Sequence, residues 1–187
     1  MVFISFLEIS YLVILTFIIG YIFSGFIKRP ATEHDLVYEH GFNWEDFKLA
    51  VIVAAPAVIL HELGHKFSAI LFGMEAVLHI FWEGLGLAIF LKLINSPFLI
   101  IAPAYVSISG GATAFQGFIT AFSGPLVNLI LFLIAWLVTE RAKLTRRQAI
   151  IVYLTKQINL LLFIFNMLPI PPLDGFKVFA NLFRIIF

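Results

Sequence analysis

The sequence predicts an all-α polytopic membrane protein with about four transmembrane helices and a small membrane-associated β layer between the second and third. Two observations carry that fold class. Of 187 residues, 61% are hydrophobic and only 12% charged, against about 45–50% and about 25% in ordinary soluble domains. The apolar residues, 22 phenylalanines among them, also gather into runs long enough to cross a hydrocarbon core of about 30 Å.

The first run, from Phe3 to Ile27, is closed by Lys28, Arg29 and Pro30, and it reads as a retained span because it lacks the basic start of a signal peptide. A polar loop follows, carrying His34 and His40 as ordinary surface residues. Phe42, Trp44 and Phe47 then put rings where a chain enters a membrane interface. The second span covers Phe47 to Phe72 and is interrupted only by His61-Glu62-Leu63-Gly64-His65-Lys66. Gly73 to Gly117 mixes apolar runs with Glu75, His79, Glu83, Lys92, Pro97 and Pro103 and is no clean span. Alternation through Tyr105-Val106-Ser107-Ile108-Ser109 predicts a strand there. Phe118 to Thr139 and Ala149 to Leu168 supply the third and fourth spans, separated by a loop with Arg141, Lys143, Arg146 and Arg147. Pro169, Pro171 and Pro172 stop the last of them. The residues after Asp174-Gly175 are too few to cross a bilayer. We expect one membrane domain over residues 1–187, with a core at about 47–179 and no room for a soluble module.

The net charge of +1 gives no basic field for nucleic acid, and the absence of cysteine removes disulfides and thiolate ligands. His61 and His65 lie four apart, about 40° around a helix, so both imidazoles can reach one metal ion. Glu62 beside them can take a proton from an attacking water and return it to a leaving amine, the task of the glutamate in H-E-x-x-H metalloproteases. The motif falls roughly 20 Å along its helix from Phe47. At such depth ionisable groups are costly and mark function, although hydrogen bonding between helices is the alternative. A third ligand is needed for catalytic zinc, and Asp174, at a proline-broken point, is the candidate. As a helix N-cap it would serve structure as well.

Asn166-Met167-Leu168-Pro169-Ile170-Pro171-Pro172-Leu173-Asp174-Gly175 resembles the N-x-x-P-x-x-P-L-D-G signature of the site-2 proteases, and Ser123-Gly124-Pro125-Leu126-Val127-Asn128 is similar to the family's G-P-x-x-N segment. The resemblance implies a three-helix catalytic core, one zinc per chain held by His61, His65 and Asp174, Glu62 as general base, and Asn128 and Asn166 facing the site to orient substrate or steady an oxyanion, with hydrogen bonding between helices as the equal alternative for both asparagines. The function so implied is hydrolysis of peptide bonds within or near transmembrane helices of other proteins in a lipid membrane. A non-enzymatic zinc-binding membrane protein, a transporter or inactive scaffold, is the competing reading, and Glu62 discriminates because binding does not need it. The segment around Ser107 to Ala114 is expected to offer a strand edge that holds an unwound substrate. For Glu75, His79 and Glu83 a polar interfacial face is preferred to a second metal site, and for Glu8 a place near the headgroups to a gate. Lys66 is expected to pair with a carboxylate or to line the water path.

Overall fold

A computed structural model describes residues 3–27, 42–96 and 103–187. The expectations for Lys28 to Pro30, His34, His40 and Pro97 fall outside the described residues. The chain is mostly helical, with α1 (Phe6–Phe23), α2 (Trp44–Leu71), β1 (Glu75–Ile80), α3 (Trp82–Leu93), β2 (Ala104–Ser109), α4 (Ala114–Arg141), α5 (Arg146–Asn166) and α6 (Asp174–Ile186). Helices α1, α2, α4 and α5 are long and apolar enough to cross a membrane. They correspond to the four predicted spans.

Side-chain caps set where most of these helices begin. Ser5, Thr113 and Thr145 each form a capping box, with Glu8, Gln116 and Gln148, at α1, α4 and α5. Each box satisfies two backbone donors that a helix start leaves free. Asn43 caps α2 by accepting from the backbone of Glu45 and Asp46, whose carboxylates suit the positive end of the helix dipole. That helix ends where Gly73 turns to φ +74°, a conformation that costs glycine nothing.

Helix α2 is the centre of the molecule and packs against α1, α4, α5 and both strands. On the α1 side, Leu15, Ile19 and Ile22 are buried against Ala50, Ala54 and Val58. Gly20 makes the approach possible, since a Cβ there would lie 2.4 Å from Val51 Cγ2. At the far end of α1, Lys92 of α3 donates to Tyr21 O and, at 2.8 Å, to Ser24 Oγ, and it lies 3.8 Å over the Tyr21 ring. Its burial there draws the ammonium pKa below its ordinary value. The outward surfaces of α1, α4 and α5 carry exposed apolar side chains such as Phe17, Ile130, Leu133 and Leu161, as lipid contact requires.

β1 and β2 pair antiparallel, with Val77 opposite Ser107. The strand predicted at Tyr105 to Ser109 is present, one residue longer at its start. The short helix α3 between the strands was not legible in the sequence. Glu75 and His79 lie on β1 while Glu83 lies on α3, so the three do not form one ligand face. Glu75 Oε2 accepts from Ser109 Oγ at 3.3 Å, and His79 pairs with Ser107 Oγ at 2.9 Å and stacks on Tyr105. They are cross-strand partners of the kind that hold a sheet together.

Candidate metal centre

His61 and His65 project from α2 with their rings edge to face, centroids 4.8 Å apart. Asp174 reaches them from the start of α6. Leu173, not Asp174, occupies the N-cap position, which leaves the aspartate side chain free to turn toward α2. Gly175 permits this turn: a Cβ there would lie 2.4 Å from Met167 O and 2.5 Å from Leu168 O, so only glycine lets α6 start tucked against the end of α5, where the proline loop begins.

Asp174 Oδ2 stands 3.0 Å from His61 Nε2 and 3.2 Å from His65 Nε2, and the two nitrogens are 3.2 Å apart. Four-coordinate zinc with bonds of about 2.0–2.1 Å separates its ligand atoms by about 3.3 Å. The spacing therefore suits that ion. Among the described residues this is the one group of three acidic or histidine side chains close enough to share a metal.

The protonation pattern around the trio agrees. His65 Nδ1 lies 2.8 Å from Thr120 O, a carbonyl that only accepts, so the ring's Nδ1 carries hydrogen. Asn128 Nδ2 donates to Ala57 O and to Asn159 Oδ1, both at 2.9 Å, which turns Asn128 Oδ1 to face His61 Nδ1 at 2.7 Å. That nitrogen is accordingly a donor as well. Both Nε2 atoms then direct lone pairs at a carboxylate oxygen, and three such groups repel unless a cation, a proton or a metal, sits among them. The donor set fits zinc.

The helices α2 and α4 cross closely here. A Cβ on Gly64 would lie 2.9 Å from Ser123 O, and one on Gly124 would lie 2.3 Å from His65 Nε2. Glu62 is buried beside the trio at 9% exposure. Asn128 faces the site, as the family resemblance implied, and makes the interhelical hydrogen bonds that were its alternative role. It is fully buried and both of its amide hydrogens are engaged, so it orients His61 and has no donor left for an oxyanion. Asn166 is the last residue of α5 and partly buried. Sequence reasoning missed Asn159 and the Thr120 carbonyl, because neither lies in a motif; an asparagine inside an apolar helix was the only signal for the former.

A relative from Methanocaldococcus jannaschii bearing the name Putative zinc metalloprotease is 34% identical over 135 residues, which make up 71% of this chain and 69% of that protein. The sequence pattern of Peptidase family M50 matches residues 138–187, a stretch that includes Asn166 to Gly175. The chain belongs to peptidase family M50. Membership bears out the resemblance to the site-2 proteases drawn from the motifs. Two further relatives carry the same descriptive name. One from Synechocystis is 32% identical over 143 residues, 76% of this chain and 33% of that protein. One from Bacillus subtilis is 32% identical over 75 residues, 35% of this chain and 34% of that protein. The chain thus aligns with about a third of the length of these last two.

Removing the Asn128 amide tests its place in the centre. In Asn128→Ala the His61 ring loses the partner that fixes its tautomer, and zinc affinity is expected to fall about 10–100-fold. Competition with a chromophoric chelator measures it, and an unchanged dissociation constant would show that His61 is held by other means.

Proposed function

We propose that this chain is a multi-pass intramembrane zinc metalloprotease that hydrolyses peptide bonds within or near transmembrane helices of other membrane proteins. The observation that carries the reading is the convergence of His61, His65 and Asp174 to 3.0–3.2 Å, with both histidines on a helix long and apolar enough to span a bilayer and Glu62 adjacent. When bound, zinc would polarise a scissile carbonyl and raise the acidity of water.

The remaining work falls to the protein. His61, His65 and Asp174 are the proposed ligands, with Asn128 and the Thr120 carbonyl holding the two rings so that Nε2 is presented. Glu62 takes the proton of the attacking water and returns it to the departing amine nitrogen. The packed faces of α2 and α4 limit access of bulk water. A substrate helix hides its carbonyls in its own hydrogen bonds and must unwind before it is cut. The exposed strand β2 is the proposed place where the extended segment is held, through backbone bonds that are indifferent to sequence. Asn166 is a remaining candidate for contact with that segment.

The test is metal analysis of the purified protein beside cleavage of a single-span membrane substrate in detergent or liposomes. One zinc per chain is expected, with cleavage abolished by a chelator and restored by added zinc. Tight zinc binding with no cleavage of any membrane substrate would favour the non-enzymatic alternative, a transporter or inactive scaffold.

A further inference from the structure

A two-stranded sheet has two outer edges, and each presents backbone donors and acceptors that a further strand would pair. Residues two apart on a strand turn those groups to the same edge. On β1, Ala76 O accepts from Lys66 Nζ at 2.9 Å and Leu78 N–H donates to Glu8 Oε1 at 2.8 Å. Val77, between them, faces β2: it lies opposite Ser107, and its carbonyl accepts from Ser107 Oγ at 3.3 Å. Ala76 and Leu78 therefore point to the outer edge.

The two side chains that meet this edge form an ion pair with each other. Lys66 is 1% exposed and Glu8 3%, and the second carboxylate oxygen of Glu8 accepts from Ser5 N–H at 2.8 Å. Glu8 is thus buried inside the protein and not placed among headgroups as the sequence had favoured. Lys66 has the carboxylate partner that was one of its two expected roles. An apolar side chain at either position would cover the edge without satisfying it, because a buried backbone group needs a hydrogen-bonding partner.

We propose that the Glu8–Lys66 pair is a positioning device that stands in for a third strand on β1. The ammonium supplies the donor and the carboxylate the acceptor that a neighbouring strand would bring. With that edge closed, alternation leaves the outward groups of Val106 and Ile108 on β2 as the edge that, among the described residues, no strand pairs, open to an extended chain. Lys66 follows His65 directly, so the closure is built on the metal-bearing helix and holds the open edge in fixed register with the proposed ligands. It also gives α1, outside the three-helix core, a part in substrate handling. That last step rests on the protease reading; the closed edge does not.

Residue-resolved amide exchange on the zinc-loaded full chain tests the closure directly. Leu78 is expected to exchange at least about tenfold more slowly than Val106 and Ile108. Equal exchange at the two edges would overturn the proposal, and this measurement needs no variant. Glu8→Leu combined with Lys66→Met then removes both charges together, so that no lone charge is left buried. In that protein zinc content should match wild type, Leu78 should exchange as fast as Val106, and KM for a membrane substrate should rise at least about tenfold with kcat within about threefold. Lys66→Arg should keep the protection and the KM. A double variant with wild-type KM and slow Leu78 exchange would reduce the pair to ordinary packing and refute the idea. A protected Leu78 in a protein that cleaves nothing would instead count against the protease reading alone.

Discussion

Glu62→Gln is expected to retain one zinc per chain while slowing cleavage of a membrane substrate by about a thousandfold or more. Glutamine has nearly the same volume and places a neutral amide where the carboxylate stood. The converging atoms belong to His61, His65 and Asp174, so the substitution removes no proposed ligand. What it removes is the carboxylate proposed to accept a proton from water and surrender it to an amine. Zinc content and kcat measured on the same preparation separate the two effects. Loss of zinc in step with activity would make Glu62 part of the metal centre. Unchanged cleavage would remove it from the reaction, and unchanged biological function with zinc retained would favour transport or scaffolding.

Much of this centre was legible because each of its two parts, the histidine pair and the proline-broken turn before Asp174, is local in sequence. The four-residue spacing of His61 and His65 fixes their shared face once a helix is granted, and three prolines within four positions force the break that presents Asp174. The spans were legible for the same reason: hydropathy acts along the chain. What could not be read are contacts made across it. Nothing near Asn128 says that its amide will be consumed by Ala57 O and Asn159 and turned toward His61. Nothing near Glu8 says that it will meet Lys66, 58 positions away. Helix α3 was obscured because its 12 residues lie between two strands, in a region whose mixture of charges and prolines fits no single period. Gly64 and Gly124 belong to motif-like strings, but their purpose, a close crossing of α2 and α4, exists only in three dimensions.

The largest effect expected from a residue with no chemistry of its own is at Gly124. In Gly124→Ala the new methyl would sit 2.3 Å from His65 Nε2, 2.7 Å from Cε1 and 2.8 Å from Cδ2, where carbon contacts settle near about 3.5–4.0 Å. The imidazole must retreat by about 1 Å or the helices must part. Parting is opposed on the same face, where Gly64 already lies against the Ser123 carbonyl. Retreat breaks the bond from His65 Nδ1 to Thr120 O and carries Nε2 away from Asp174. Metal bonds tolerate only about 0.2 Å of such error, so zinc affinity should fall by at least about a hundredfold, approaching the loss from removing a ligand outright. Gly111→Ala is the matched control, because nothing lies within 4 Å of a Cβ there, and it should bind zinc as wild type does. Helical content and thermal unfolding of the metal-free proteins distinguish a displaced ligand from a lost fold. If Gly124→Ala bound zinc and cleaved substrate normally, the close seating of His65 on α4 would be irrelevant to the centre, and the ligand geometry proposed for it would have to be abandoned.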